Sequence, residues 1–305
     1  MNQWSRFTGV ITAMVTPFDE AGRLNLPTLR RLIALQMRAG VDGVLVCGGS
    51  GEYANLSAEE RAEVTQAAVE AAGGQVFVVV GVLEASTARA CEAVKLLAAA
   101  RPSAFMVLTP YYFNPSPDGV RAHFEAVAAN TSLPIILYNN PARTGINMSA
   151  ELVAQLGTIG PVVGIKECDR DLGRVTQKIE AAGDRIDFLA GDDDLVLPML
   201  ALGARGGVMA SASLAPEWAV EMLSAARVGD RERSLEYHRR ITRLLSLFYR
   251  PNHPGPLKQA LAHLGWDVGS ARPPLAALRD DELRELTTAL DELGLTKHDQ
   301  HTLVG

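Results

Sequence analysis

Eight short apolar runs, separated by stretches with helical spacing, set the strongest limit on how this chain folds. The runs lie at residues 10–15, 43–46, 76–80, 105–108, 135–138, 162–166, 186–190 and 207–210. Amphipathic stretches such as 26–38, 58–72 and 87–99 come between them. A run such as Val162-Val163-Gly164-Ile165 is apolar at consecutive positions, as in strands of a parallel sheet covered by helices on both faces. Eight strand–helix units are the count of a closed (β/α)8 TIM barrel. A doubly wound sheet is the competitor, but no G-x-G-x-x-G follows the first run. Ser57-Ala58-Glu59-Glu60 forms a capping box in which Glu60 can reach back to the Ser57 amide. Past the eighth run the alternation stops, and helical patterns are broken by prolines at 251–256 and 272–274. The expected organisation is a barrel with the active site over residues 1–228, then a C-terminal three-helix extension over 229–305. Residues 297–305 are polar and expected to fray.

Composition excludes several classes of function. A formal net charge of -6 with no basic block leaves no electrostatic footprint for nucleic acid. No apolar run reaches the ~20 residues that span a bilayer, and residues 1–9 lack a hydrophobic signal core. Three widely spaced cysteines, Cys47, Cys91 and Cys168, suit reduced thiols rather than a disulfide frame. The expectation is a soluble, cytoplasmic protein with small-molecule partners.

Barrel chemistry collects at the carboxyl ends of the strands. Read there, the sequence offers Cys47-Gly48-Gly49-Ser50-Gly51-Glu52, Thr109-Pro110-Tyr111-Tyr112, Tyr138-Asn139-Asn140, Lys166-Glu167 and Asp192-Asp193-Asp194. Lys166 stands out because it closes an apolar strand. Desolvation there lowers an ammonium pKa and exposes an amine able to form a Schiff base. A lysine snorkelling its head into solvent fits the same pattern. The remaining lysines, Lys95, Lys178, Lys258 and Lys297, read as surface charge. None of the six histidines falls at a strand end, which argues against a histidine base or a histidine-rich metal site. Tyr138 reads either as a proton carrier or as a core tyrosine satisfied locally. The glycine-rich loop reads as a plain turn or as a nest of amides for an anion. The three aspartates read as helix capping rather than as metal ligands, since consecutive carboxylates cannot all face one ion. Gly206-Gly207 precedes the last strand, so it is a weak phosphate signal.

In their order and spacing these segments resemble the dihydrodipicolinate synthase and N-acetylneuraminate lyase family of Schiff-base, pyruvate-dependent aldolases. The resemblance rests on Gly48-Gly49-Ser50-Gly51-Glu52, Pro110-Tyr111-Tyr112, Tyr138-Asn139-Asn140-Pro141 and Gly164-Ile165-Lys166-Glu167. Pro254-Gly255-Pro256-Leu257-Lys258 and Arg272-Pro273-Pro274-Leu275 extend it into the tail. It implies that Lys166 forms an imine with pyruvate or a related 2-keto acid and that Tyr138 carries protons. It also implies that Gly49, Ser50, Arg143 and Met209 bind substrate and that no metal or organic cofactor is needed. Tyr112 would reach into a neighbouring subunit's site, giving a homodimer or homotetramer.

Two features pull the substrate reading apart. Arg143 matches the arginine that receives the carboxylate of aspartate semialdehyde in the family's synthases, which favours lysine biosynthesis. Gly49 stands where those synthases carry a relay threonine, and Tyr53 narrows the pocket beside it. The alternative is an aldolase or dehydratase of keto-deoxy sugar acids or 4-hydroxy-2-oxoglutarate. A non-catalytic keto-acid-binding barrel is a reading of another class, and a phosphate-sugar barrel is a weaker one. Ala58 and Arg61 replace the histidines of lysine-regulated members, which puts lysine feedback in doubt.

Overall fold

The computed structural model describes residues 7–295, so Lys297 and the expected frayed end lie outside the described residues. Eight parallel strands close on themselves in chain order. They are β1 (Gly9–Ala13), β2 (Gly43–Val46), β3 (Phe77–Val82), β4 (Ala104–Leu108), β5 (Ile135–Asn139), β6 (Val162–Glu167), β7 (Asp187–Ala190) and β8 (Gly206–Met209). Each expected strand is present, with ends displaced by one or two residues where hydrogen bonding rather than hydropathy sets the limit. The first strand stops at Ala13 instead of residue 15, and the third runs on to Val82 instead of residue 80. Nearly every strand residue is buried, as helices outside and packed side chains inside require.

The barrel helices are α1 (Leu26–Ala39), α2 (Ala58–Ala72), α3 (Thr87–Leu97), α4 (Pro117–Ala128), α5 (Pro141–Thr144), α6 (Ala150–Leu156), α7 (Leu172–Ala182), α8 (Val196–Ala201) and α9 (Pro216–Arg227). Helix α2 opens with the expected box: Glu60 N–H donates to Ser57 Oγ at 3.2 Å, and Ser57 N–H donates to Glu60 Oε2 at 2.9 Å. The chain then adds α10 (Arg231–Phe248), α11 (Gly255–His263) and α12 (Asp280–Glu292).

Two lysines read as surface charge are instead buried. Lys178 of α7 is 2% exposed and pairs with Glu167 at 3.0 Å and Asp169 at 3.2 Å. Lys258 of α11 is 1% exposed, pairs with Glu52 at 2.7 Å and lies 4.0 Å from the centroid of the Phe18 ring. Their carboxylate partners are distant in sequence or belong to another element, so helical spacing alone gave no sign of them. Gly206 is also explained by packing, because a Cβ there would collide with the backbone of Gly9 on the neighbouring strand.

Candidate active site

A cavity of about 670 Å³ opens at the carboxyl end of the barrel. Ala13, Leu45, Leu108, Tyr138, Lys166 and Val208 face it from the strands. Because successive strand side chains alternate in direction, their sequence neighbours point outward into the helical layer.

Tyr138 and Lys166 are brought together by strand register, β5 setting Tyr138 directly opposite Lys166 on β6. Lys166 is 7% exposed, and its Nζ donates to the Tyr138 hydroxyl at 3.3 Å while lying 4.3 Å from the ring centroid. Asn140 Nδ2 donates to the same hydroxyl at 2.9 Å. A phenol has two acceptor sites and one proton, so two donors leave that proton for a third partner. Gly191 makes room for the lysine stem, since a Cβ there would overlap the Cys168 sulfur and come 3.1 Å from Lys166 Cε.

The outward neighbours fix this pair from behind. Asn139 Nδ2 donates to Glu167 Oε1 at 2.6 Å, tying β5 to β6 at the residues next to Tyr138 and Lys166. Lys178 Nζ and the Asp169 amide also donate to Glu167, at 3.0 and 2.7 Å.

The electrostatics differ from the simple expectation of a lowered lysine pKa. Burial lowers the Lys166 pKa, but Tyr138, Cys168 and Tyr249 act against it and the balance falls above the ordinary lysine value. Their charges raise it only when those groups are anions, whereas the hydrogen bond to Tyr138 raises it with the phenol neutral. Burial pushes the Tyr138 and Tyr249 phenols up and the Cys168 thiol up to about 12. They are therefore neutral at pH 7, where burial favours the free amine and the hydrogen bond that Nζ donates to the Tyr138 hydroxyl favours the ammonium.

The loop after β2 turns sharply at the rim of the cavity. Cys47 and Glu52 bracket it with left-handed backbone, φ 53° and 56°, the kind of conformation that persists only when the surroundings enforce it. Thr16 Oγ1 donates to the Gly51 carbonyl at 2.7 Å. The Glu52 carboxylate is held by Lys258 at 2.7 Å and by the Arg272 amide at 2.8 Å, both from the C-terminal extension. Among the described residues, no hydrogen-bond acceptor faces the amides of Gly49 and Ser50. Ser50 Oγ lies 3.0 Å from His253 Nε2.

Gly49, Ser50, Arg143, Tyr138 and Lys166 all line this one cavity. Met209 does not. Val208 and Ala210 line the cavity, whereas Met209 lies on the Gly207 face of β8, which packs against Val196 of α8. A one-residue shift along a strand reverses direction, and that is the reason for this correction. Tyr112 also stands off its own cavity: it is 90% exposed with φ 76°, while Tyr111 forms the wall.

The aspartates do not cap their own helix. Asp193 accepts from the amides of Ala210 at 3.1 Å and Ser211 at 2.7 Å, while Asp192 and Asp194 pair with Arg170. Asp193 thus has backbone partners of its own, while Asp192 and Asp194 share the Arg170 guanidinium. Tyr249 and His253 reach the cavity wall from the extension, so a histidine is present after all. Its approach is tertiary, and the only local cue was the proline-rich break around residues 251–256.

A sequence profile of the Dihydrodipicolinate synthetase family matches residues 6–293. The chain belongs to this family. It is 38% identical over 291 residues to the 4-hydroxy-tetrahydrodipicolinate synthase of Anaeromyxobacter sp. strain Fw109-5, covering 95% of this chain and 98% of that protein. It is similar to the crystal structure of dihydrodipicolinate synthase from Aquifex aeolicus, with TM-score 0.92, 31% identity and coverage of 96% and 100%. It also resembles a monomeric dihydrodipicolinate synthase variant, with TM-score 0.91, 30% identity and coverage of 95% and 97%. Within the Dihydrodipicolinate synthetase family the barrel and the lysine at the end of β6 acquire a chemical setting, a Schiff base that requires no cofactor.

Proposed function

We propose that this protein is a Schiff-base lyase that joins or cleaves pyruvate, or a related 2-keto acid, and an aldehyde. Its nearest activity is that of a 4-hydroxy-tetrahydrodipicolinate synthase acting on aspartate semialdehyde. The observation that carries the reading is the buried Lys166 amine, 3.3 Å from the Tyr138 hydroxyl at the cavity floor.

The Lys166 amine attacks the keto carbon, and the resulting carbinolamine loses water to give an imine. The protonated imine withdraws electrons from the adjacent methyl carbon, which gives up a proton and becomes an enamine. The enamine carbon then bonds to the aldehyde carbon, the aldehyde oxygen takes up a proton, and hydrolysis or cyclisation frees Lys166. Tyr138 is the proton carrier for the carbinolamine and the aldehyde oxygen. The Gly49 and Ser50 amides and the Ser50 hydroxyl receive the keto-acid carboxylate. Arg143, exposed on the cavity wall, receives a carboxylate on the aldehyde.

Borohydride reduction in the presence of pyruvate, read by intact mass, tests this directly. A pyruvyl adduct is expected on the wild type and not on Lys166→Ala. Folded wild type that yields no adduct excludes pyruvate as donor, and keto-deoxy sugar acids are then the next donors to trap.

The open space at Gly49 favours a second reading, the aldolase or dehydratase of keto-deoxy sugar acids, because nothing lies within 4 Å of a Cβ placed there. Arg143→Ala separates the two. It is expected to cut kcat/KM for aspartate semialdehyde by about 100-fold, the scale of a charge-assisted pair, and to spare an aldehyde without that carboxylate.

The exposed Tyr112 and Phe113 rings, stacked edge to face at a centroid distance of 5.4 Å, support assembly into a homo-oligomer. In that arrangement Tyr112 enters the neighbouring subunit's site.

A further inference from the structure

We propose that His253 is a positioning residue for the keto-acid carboxylate, holding the Ser50 hydroxyl at the anion station from the C-terminal extension. The inference rests on the Schiff-base reading above and adds a component to it.

Ser50 is 8% exposed and its hydroxyl lies 3.0 Å from His253 Nε2; among the described residues this is the hydroxyl's one hydrogen-bonded neighbour. A serine hydroxyl rotates freely unless a partner fixes it, and a freely rotating donor loses part of its binding contribution to ordering. The imidazole is itself packed beside aromatic rings. It lies 5.0 Å from the Tyr249 ring and 6.1 Å from the Phe248 ring at the end of α10, and both it and Tyr249 form the cavity wall.

The charge state suits an orienting role rather than acid–base work. Burial lowers the His253 pKa to about 4, opposed by the Phe248 carbonyl and assisted by the positive charges of Arg143 and Lys166. The ring is therefore neutral at pH 7. A neutral ring carries one donor and one acceptor nitrogen, so it can receive the Ser50 proton or supply one while Ser50 turns to the ligand. The chain thus bonds the first segment of the site to the last through two side chains 203 positions apart.

The test compares wild type, Ser50→Ala, His253→Phe, His253→Gln and the Ser50→Ala/His253→Phe double variant. Borohydride trapping gives the half-saturating pyruvate concentration and the maximal trapping rate, and needs no aldehyde. His253→Phe keeps a planar ring and removes the hydrogen bond. It is expected to raise half-saturation about tenfold while the maximal rate stays within about twofold, the loss of one hydrogen bond to a charged ligand. Ser50→Ala is expected to do the same, and the double variant to be no worse than the larger single loss. His253→Gln, which returns a polar atom near the Nε2 position, is expected to recover most of the affinity. Half-saturation unchanged in His253→Phe, or losses that multiply in the double variant, overturns the proposal.

Nitrogen-15 NMR of the wild-type imidazole, assigned with His253→Gln, gives a check that does not depend on His253→Phe folding. Pyruvate is expected to shift the resonance of the nitrogen facing Ser50, and an unmoved resonance overturns the proposal. Failure of wild type to trap pyruvate removes pyruvate as the donor in the reading above, and with it this role of His253, whereas normal trapping with unaltered variants sinks only the role of His253.

Discussion

At the scale of single residues, the site depends on side chains that are absent as much as on those present. Gly191 leaves the space through which the Lys166 stem passes beside Cys168. Gly191→Ala is expected to destabilise the fold by about 1–3 kcal/mol and to slow imine formation at least tenfold. Urea titration and trapping kinetics measure the two effects, and an alanine variant with normal trapping removes this account of the glycine. Gly49 is the opposite case, with open space around its Cβ. Gly49→Thr is therefore expected to leave the midpoint of thermal unfolding within a few degrees of wild type. If turnover of the native substrate is limited by the missing relay hydroxyl, it rises in this variant. A fall in turnover with pyruvate affinity intact favours a donor that needs the vacant volume. Lys166 and the glycine loop were legible in the sequence because a charge ending an apolar strand, and four residues with three glycines, break the local pattern. His253 was not, because nothing in its own neighbourhood marks it as reaching Ser50.

At the scale of elements, the β5–β6 pair sets Tyr138 and Lys166 on the cavity face and a polar network on the other. Asn139, Glu167, Asp169 and Lys178 form a buried polar network behind Tyr138 and Lys166. Removing one partner of such a pair leaves an uncompensated buried charge. Lys178→Met is expected to cost about 3–5 kcal/mol, measured by urea denaturation. Lys178→Met combined with Glu167→Gln is expected to recover part of that loss, since the stranded charge is gone. If the single variant is as stable as wild type, the network is not holding the strands. The strands themselves were readable from their apolar runs, and α2 from its capping box. The direction of each side chain was less secure, as Met209 shows: hydropathy identifies a strand buried on both faces but gives no alternation to say which residues point inward.

At the scale of the whole molecule, the extension closes over the barrel mouth rather than standing apart. Lys258 and Arg272 hold Glu52, Arg272 also pairs with Glu60, and His253 and Tyr249 complete the cavity wall. Folding as one body makes stability respond to acid through two histidines, the buried His123 and the partly buried His253. His123 and His253 have pKa values lowered to about 4 from an ordinary 6.5. Between those values the unfolded chain binds protons that the folded chain does not. Their contribution is thus complete above pH ~6.5 and lost progressively as pH falls toward 4, on the order of 3 kcal/mol from each at most. Thermal melts between pH 7 and 4 are expected to show this decline, reduced in His253→Gln. For assembly, light scattering is expected to give a particle larger than one chain, and Tyr112→Ser is expected to reduce trapping turnover only in the assembled form. A monomer that turns over at full rate removes Tyr112 from the site.

The sequence by itself determined the barrel and placed a lysine, a tyrosine and a glycine-rich loop at the ends of its strands. Each is written in local features: apolar runs of strand length, a lysine and a tyrosine at strand ends, and a cluster of glycines after the second strand. Only the tertiary structure decided which lysines are buried, where Met209 points and what holds Ser50. Those outcomes depend on contacts between separate elements, from Lys178 and Glu167, 11 positions apart, to Ser50 and His253, 203 positions apart. Packing of the helices around and under the closed barrel is what brings such residues together.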